Sequence, residues 1–296
     1  LANNLLDPTG DYNIQDLSPV IDAADNTQIP PGITTDILGN TRFNDDPGIA
    51  DTGVIGAQAG VADMGAYENQ ANTCASIGFD TTGPQNYNVT ANDANNLILA
   101  ITCANSSDFA DNLLLPAGSV YNLTDVNNTS FAGATALPRI TNPSGDTNII
   151  GSGGTATIQR DIAAPFMRLF DVASGGRLIL ANLILQNGAT TSGNQGGAIY
   201  SEGDLSLTNV QLLSNTSDGD GGALEVFGMT DIVDTTFDGN SSNASGGAIN
   251  QSSGTLSITR GTFVNNTADF DGGAINSFNG TLNITSSVIS GNTAND

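Results

Sequence analysis

Carboxylates are the only side chains in this sequence whose numbers and spacing point to chemistry. Acidic residues number 30 against 6 basic ones, for a net charge of −24. Two Asp-x-Asp pairs stand out, Asp218-Gly-Asp220 and Asp269-Phe-Asp271, each directly before a Gly-Gly pair. As a general acid and base, two carboxylates need a separation of about 5 to 9.5 Å and one pKa raised by burial. As hard oxygen ligands they need only an exposed turn that aims them at one ion. On polar turns both members stay ionised, so calcium binding is the better functional reading of Asp218, Asp220, Asp269 and Asp271. Plain turn chemistry, to which Asp is well suited, is the simpler reading. A looser acidic stretch, Asp36, Asp45, Asp46, Asp51 and Asp63, has the same two readings, with Arg42 as an ion-pair partner.

Little other chemistry is available. The basic residues are all Arg, and neither Lys nor His occurs. A polysaccharide lyase or hydrolase, the enzymatic alternative, would have to draw its base from Arg139, Arg160, Arg168 and Arg177. No Ser/His/Asp set, zinc spacing, phosphate loop or dinucleotide fingerprint is present, so no enzyme is expected. The negative field repels nucleic acid and anionic membrane. No apolar run approaches the roughly 18 residues that a membrane helix needs. Cys74 and Cys103 are too few for a disulfide scaffold and are read as one structural bridge. Aromatic residues make up 5% with Trp absent, and Phe227, Phe270 and Phe278, all in turns, are the side chains a glycan-binding face would use.

The elements that must position these groups repeat. Gly-Gly-Ala-apolar occurs at Gly196, Gly221, Gly246 and Gly272, in steps of 25, 25 and 26. Apolar-x-x-Asn runs in phase, ending at Asn215, Asn240, Asn266 and Asn292. Between the two motifs lie alternating segments beginning at Asp204, Met229, Thr255 and Thr281, and alternation means a strand with one buried face. Stacked copies place Leu205, Thr230, Leu256 and Leu282 in one column and Leu207, Ile232, Ile258 and Ile284 in the next. Leu212, Phe237, Phe263 and Ile289 form a third. A unit this short, without a helical segment, leaves an all-β right-handed parallel β-helix as the fold. Arg177–Gly188 fits the same frame, and 148–172 reads as less regular coils. The paired glycines suit left-handed or tightly approached corners. The asparagines are expected to tolerate the left-handed conformation and to hydrogen-bond from coil to coil. A short helix at 93–105, capped by Asp93 and apolar at Leu97, Ile98, Ile101 and Ala104, is expected to lid the first coil.

The in-phase motifs over 196–292 resemble the repeats of the polymorphic outer-membrane protein family, with Leu212 and Ile289 in place of Phe. That resemblance implies an adhesive β-helix at an extracellular, cell-surface location. Leu99–Asn105 and Leu115-Pro-Ala-Gly118 resemble the start of secreted β-helix domains. Leu17–Ala24, Asp36–Arg42 and Asp63–Glu68 are similar to the closing segment of the choice-of-anchor Q domain. The expected organisation is therefore a closing segment at 1–72 and a module at 73–296, with a cap at 93–105, irregular coils at 106–175 and regular coils at 176–296. A closing segment at the front implies copies of the chain arranged head-to-tail, as a tandem array or a filament, with residues 1–70 finishing a neighbouring β-helix. The expected function is thus a structural or adhesive module of a bacterial or archaeal surface protein, with surface glycans as further partners.

Overall fold

The structure, a computed structural model, describes residues 73–295 apart from 131, 132 and 143. The chain divides into two units, Leu1–Ser76 and Ile77–Asp296, and the architecture below is that of the second. The acidic stretch from Asp36 to Asp63, Arg42 and the closing-segment motifs lie outside the described residues.

The second unit is a parallel β-solenoid. Its longest sheet passes through eight successive strands, Asn86–Asn88, Asp111–Pro116, Thr147–Ser152, Arg177–Gln186, Asp204–Leu213, Met229–Val233, Thr255–Thr259 and Thr281–Thr285. A second sheet stacks Phe170–Val172, Ile199–Ser201, Leu224–Val226, Ile249–Gln251 and Ile275–Ser277. A third stacks the two-residue strands Thr216–Ser217, Ser241–Ser242, Thr267–Ala268 and Thr293–Ala294. One antiparallel hairpin, Asn128–Ser130 with Gly133–Thr135, interrupts the early coils. Right-twisted strands joined by parallel crossovers wind right-handed.

Register confirms the three columns. Leu205, Thr230, Leu256 and Leu282 pair in sequence, as do Leu207, Ile232, Ile258 and Ile284. Leu212, Phe237, Phe263 and Ile289 form the third. The columns run further back than the regular repeat, through Leu180 and Ile149 to Leu113 in the second, and through Leu185 and Ile158 to Tyr121 in the third. Each fully buried Leu, Ile or Phe in them contributes about 1.5–3 kcal/mol of transfer free energy. The first column is less uniform: Asp111 and Thr147 precede Leu178, and all are buried. One Asp111 oxygen accepts the Gln85 N–H at 2.8 Å, and burial pushes its carboxyl pKa up.

The helix spans Ala94–Asn105, and the Asp93 carboxylate accepts the Asn96 N–H at 2.9 Å as the N-cap. Its inner face is Leu97, Ala100, Ile101, Cys103 and Ala104. Ile98 is only half-buried, because the surface the helix covers lies toward Cys103 rather than symmetrically along the stripe. Both cysteines are disulfide-bonded.

The repeated asparagines form a ladder, buried at Asn215, Asn240 and Asn266 and half-buried at Asn292. Asn215 donates its amide to the Oδ1 of Asn240 at 3.0 Å, Asn240 to that of Asn266 at 2.9 Å, and Asn266 to that of Asn292 at 2.8 Å. Each Nδ2 also reaches back to a carbonyl of the third column, at Leu185, Leu212, Phe237 and Phe263. Each acceptor oxygen additionally takes a backbone N–H, from Gly188, Asn215, Asn240 and Asn266. The expected left-handed conformation belongs elsewhere, however. Positive φ falls on the preceding residue, Ser214, Gly239, Asn265 or Gly291. The turn is made one residue early, which leaves the asparagine free to point inward and bridge coils.

Candidate functional site

The glycine pairs decide what the surface can hold. The first glycine of each pair is left-handed, with φ of 65° at Gly196 and Gly221, 74° at Gly246 and 64° at Gly272. The second has no room: a Cβ on Gly222 would lie 2.1 Å from the Gly247 carbonyl oxygen. The corners are therefore close-packed backbone, and the Asp-x-Asp pairs sit on their outer rim.

There the carboxylates are held by amides. Asp218 accepts the Gly193 N–H at 2.7 Å and the Asn243 amide at 3.0 Å, and these bonds, the backbone one first, hold its pKa below the usual carboxylate value. Asp220 accepts from Gln195 Nε2 and the Ser245 N–H, and Asp269 from Asn295. Asp271 donates its N–H to Ser245 Oγ at 3.4 Å. The two pairs are not brought together, because the coil carrying Asn243 and Ser245 separates them. No three residues of the types His, Cys, Asp and Glu gather into a metal-sized group among the described residues.

The five described arginines are engaged within the solenoid. Arg139 donates to Asp171 at 3.2 Å and to Glu202 at 2.7 Å. Arg160 donates to the carbonyls of Asn187, Asp161 and Ala164 and lies over the Phe166 ring at 5.5 Å. Arg177 pairs with Asp146 at 3.4 Å, and Arg260 with Asp234. Arg168 is fully buried at the position that Gly197 occupies one coil later; it donates to the Gln195 and Gly196 carbonyls and lies over the Tyr200 ring at 5.2 Å. Burial pushes its pKa down to about 10.

Arg168 leads to a feature that the sequence reading did not single out. The middle residues of the second sheet, Asp171, Tyr200, Glu225, Asn250 and Asn276, form one column. Their strand neighbours Phe170, Ile199, Leu224 and Ile249 fill the core, so this column faces the other way. Yet Tyr200 is 8% exposed, Asn250 3%, and Asp171 and Glu225 not at all. Glu225 accepts the Ser252 hydroxyl at 2.6 Å and the Asn250 amide at 2.9 Å. Desolvation pushes its pKa up to about 7, with nearby Asp220 adding to the rise. The signal was present in the repeat: the residue after each Gly-Gly-Ala-apolar is Tyr, Glu, Asn and Asn in turn, and Glu225 is one of the few glutamates in the chain.

The turn aromatics divide between two corners. Phe227 packs against Tyr200 with ring centroids 5.4 Å apart. Its N–H bonds the Ser201 carbonyl, as that of Phe278 bonds Gln251, so the two Phe residues share one corner column two coils apart. Phe270 lies on the opposite corner, and Phe270 and Phe278 are exposed.

Against this geometry, the family model of the Chlamydia polymorphic membrane protein repeat matches residues 234–252. The match runs from Asp234 through Phe237 and Asn240 to Gly246-Gly-Ala-Ile, and so contains both repeat motifs. No curated protein and no solved structure matches. The resemblance to the choice-of-anchor Q domain receives no support from these comparisons. Among the described residues no helix is long and apolar enough to cross a membrane.

Proposed function

We propose that this chain is a structural and adhesive module of a bacterial or archaeal surface protein, exposed outside the cell and assembled head-to-tail from copies of itself. The observation that carries the reading is the unbroken in-register ladder through eight coils, joined to a match with a surface-protein repeat. Such a solenoid uses its sequence to extend a rod, each coil contacting only its neighbours. The described arginines and the paired carboxylates support the same reading, since the arginines bond backbone carbonyls and the single carboxylates Asp146, Asp171, Glu202 and Asp234, and Asp218, Asp220 and Asp269 accept from amides. Head-to-tail assembly rests on the sequence of residues 1–70, and a contact of that kind propagates as a fibre. Electron microscopy of the purified chain tests it: rods longer than one solenoid, growing with concentration, are expected. Isolated monomers at every concentration would reject the assembly.

A second reading, a glycan-binding adhesin, is favoured by the corner aromatics. Phe227, half-buried against Tyr200, and Phe278 lie two coils apart on one side of the second sheet and Phe270 on the other, and the exposed rings of Phe270 and Phe278 offer apolar faces for a sugar. A glycan array probed with the wild-type chain and with Phe278→Ala tests it. Loss of a reproducible signal in the variant supports the reading, and the absence of any signal above background rejects it.

A further inference from the structure

The second-sheet column contains a carboxylate in an unusual electrostatic position. Glu225 is fully buried, and its hydrogen bonds come from neutral donors only, Ser252 and Asn250. Asn276 donates its amide to Asn250 Oδ1 at 2.7 Å, which fixes the Asn250 amide with its NH2 toward Glu225. The amide ladder therefore runs down the column and ends on the carboxylate.

Among the described residues no charged group neutralises it. On its own coil the neighbour is Asp220, already bonded by Gln195 and Ser245. On the preceding coil are Tyr200 and Glu202, and Glu202 is paired with Arg139. Beyond these, Arg168 is turned onto the Tyr200 ring and two carbonyls, and Asp171 is held by Arg139. The following coil presents Asn250 and Ser252, which carry no charge. A buried carboxylate facing another acid, with its cations committed elsewhere, is held more tightly when protonated.

We propose that Glu225 is an acid-responsive latch in the solenoid: its neutral carboxyl holds the coils at residues 199–201, 224–226 and 249–251 together more firmly than its carboxylate. The proposal does not depend on whether the module is adhesive. A group whose folded pKa lies above its unfolded value gives stability that is complete below the unfolded value and lost as pH rises through the folded one. For Glu225 that window runs from 4.5 to about 7. Between pH 5 and pH 7.5 the local opening equilibrium should rise on the order of 50-fold from this group alone.

Hydrogen–deuterium exchange of the intact chain, corrected for intrinsic rates, tests the proposal. Amides of the three strands should be more protected at pH 5 than at pH 7.5, while the distant strand Thr281–Thr285 should change far less. In Glu225→Gln the pH dependence should largely vanish, and protection at pH 7.5 should match that of wild type at pH 5. Asp220→Asn should keep the effect but move its midpoint to lower pH. An unchanged pH dependence in Glu225→Gln, or greater protection at pH 7.5 than at pH 5 in the wild type, would overturn it. If Glu225→Gln fails to fold, the wild-type comparison decides alone: equal protection of the three strands at pH 5 and pH 7.5 overturns it.

Discussion

Individual side chains here matter according to whether a neighbouring coil completes their hydrogen bonds. Asn240 shows one extreme: buried, it gives its amide to Asn266 and the Leu212 carbonyl and takes two donors from Asn215. Asn240→Ala leaves those buried partners unsatisfied and is expected to destabilise the chain by about 2–4 kcal/mol in urea unfolding. Thr230 is the other extreme. It interrupts a leucine column between Leu205 and Leu256, and its buried hydroxyl has no hydrogen-bond partner. Thr230→Val keeps the shape and removes the hydroxyl, so the urea midpoint should rise, by about 1 kcal/mol of stability. The asparagine was legible from sequence because its spacing repeats. The stacking also placed Thr230 in the leucine column; that its hydroxyl is left without a partner there was not legible, since that depends on which backbone groups the neighbouring coils bring within reach.

Corners and faces impose a different logic, that of fixed distances between stacked copies. The second glycine of each corner lies so close to the next coil that Gly222→Ala should cost about 3 kcal/mol through backbone displacement. Gly239→Ala meets only Ser214 Oγ at 3.8 Å and pays for its left-handed φ of 65° alone, about 1 kcal/mol. Comparing the two thermal midpoints separates close approach from conformational freedom. On the adjoining face, Phe237 and Phe263 stack with centroids 4.7 Å apart and planes 4° from parallel. A double-mutant cycle to alanine should give a coupling of about 1 kcal/mol beyond the two cavity terms. Both sets of residues were visible as motifs before the fold was known. What spacing alone misassigned was the left-handed residue, because a corner can be turned at the asparagine or one position earlier without altering the period.

At the scale of the molecule the solenoid is a one-dimensional array, and it should tolerate loss of a whole unit. Deleting Met229–Gly254 joins Gly228 to Thr255 and lets Leu205 meet Leu256 in the same column. The shortened chain should still unfold cooperatively, with its β-rich circular dichroism retained and a smaller dependence on denaturant. Deleting half of that unit, Met229–Ser241, breaks all three columns and should abolish the transition. By itself, the sequence determined the period, the three columns, the capping helix and the asparagine ladder, because each is a local pattern copied in phase. Tertiary structure alone decided the fate of the charges. It placed Asp218 and Asp269 beside amides, drew Arg168 under the glycine corners, and enclosed Glu225 with no cation paired to it among the described residues. Whether a carboxylate is solvated, paired or buried depends on what the neighbouring coils place around it, and that is set by how the turns close rather than by any spacing along the chain.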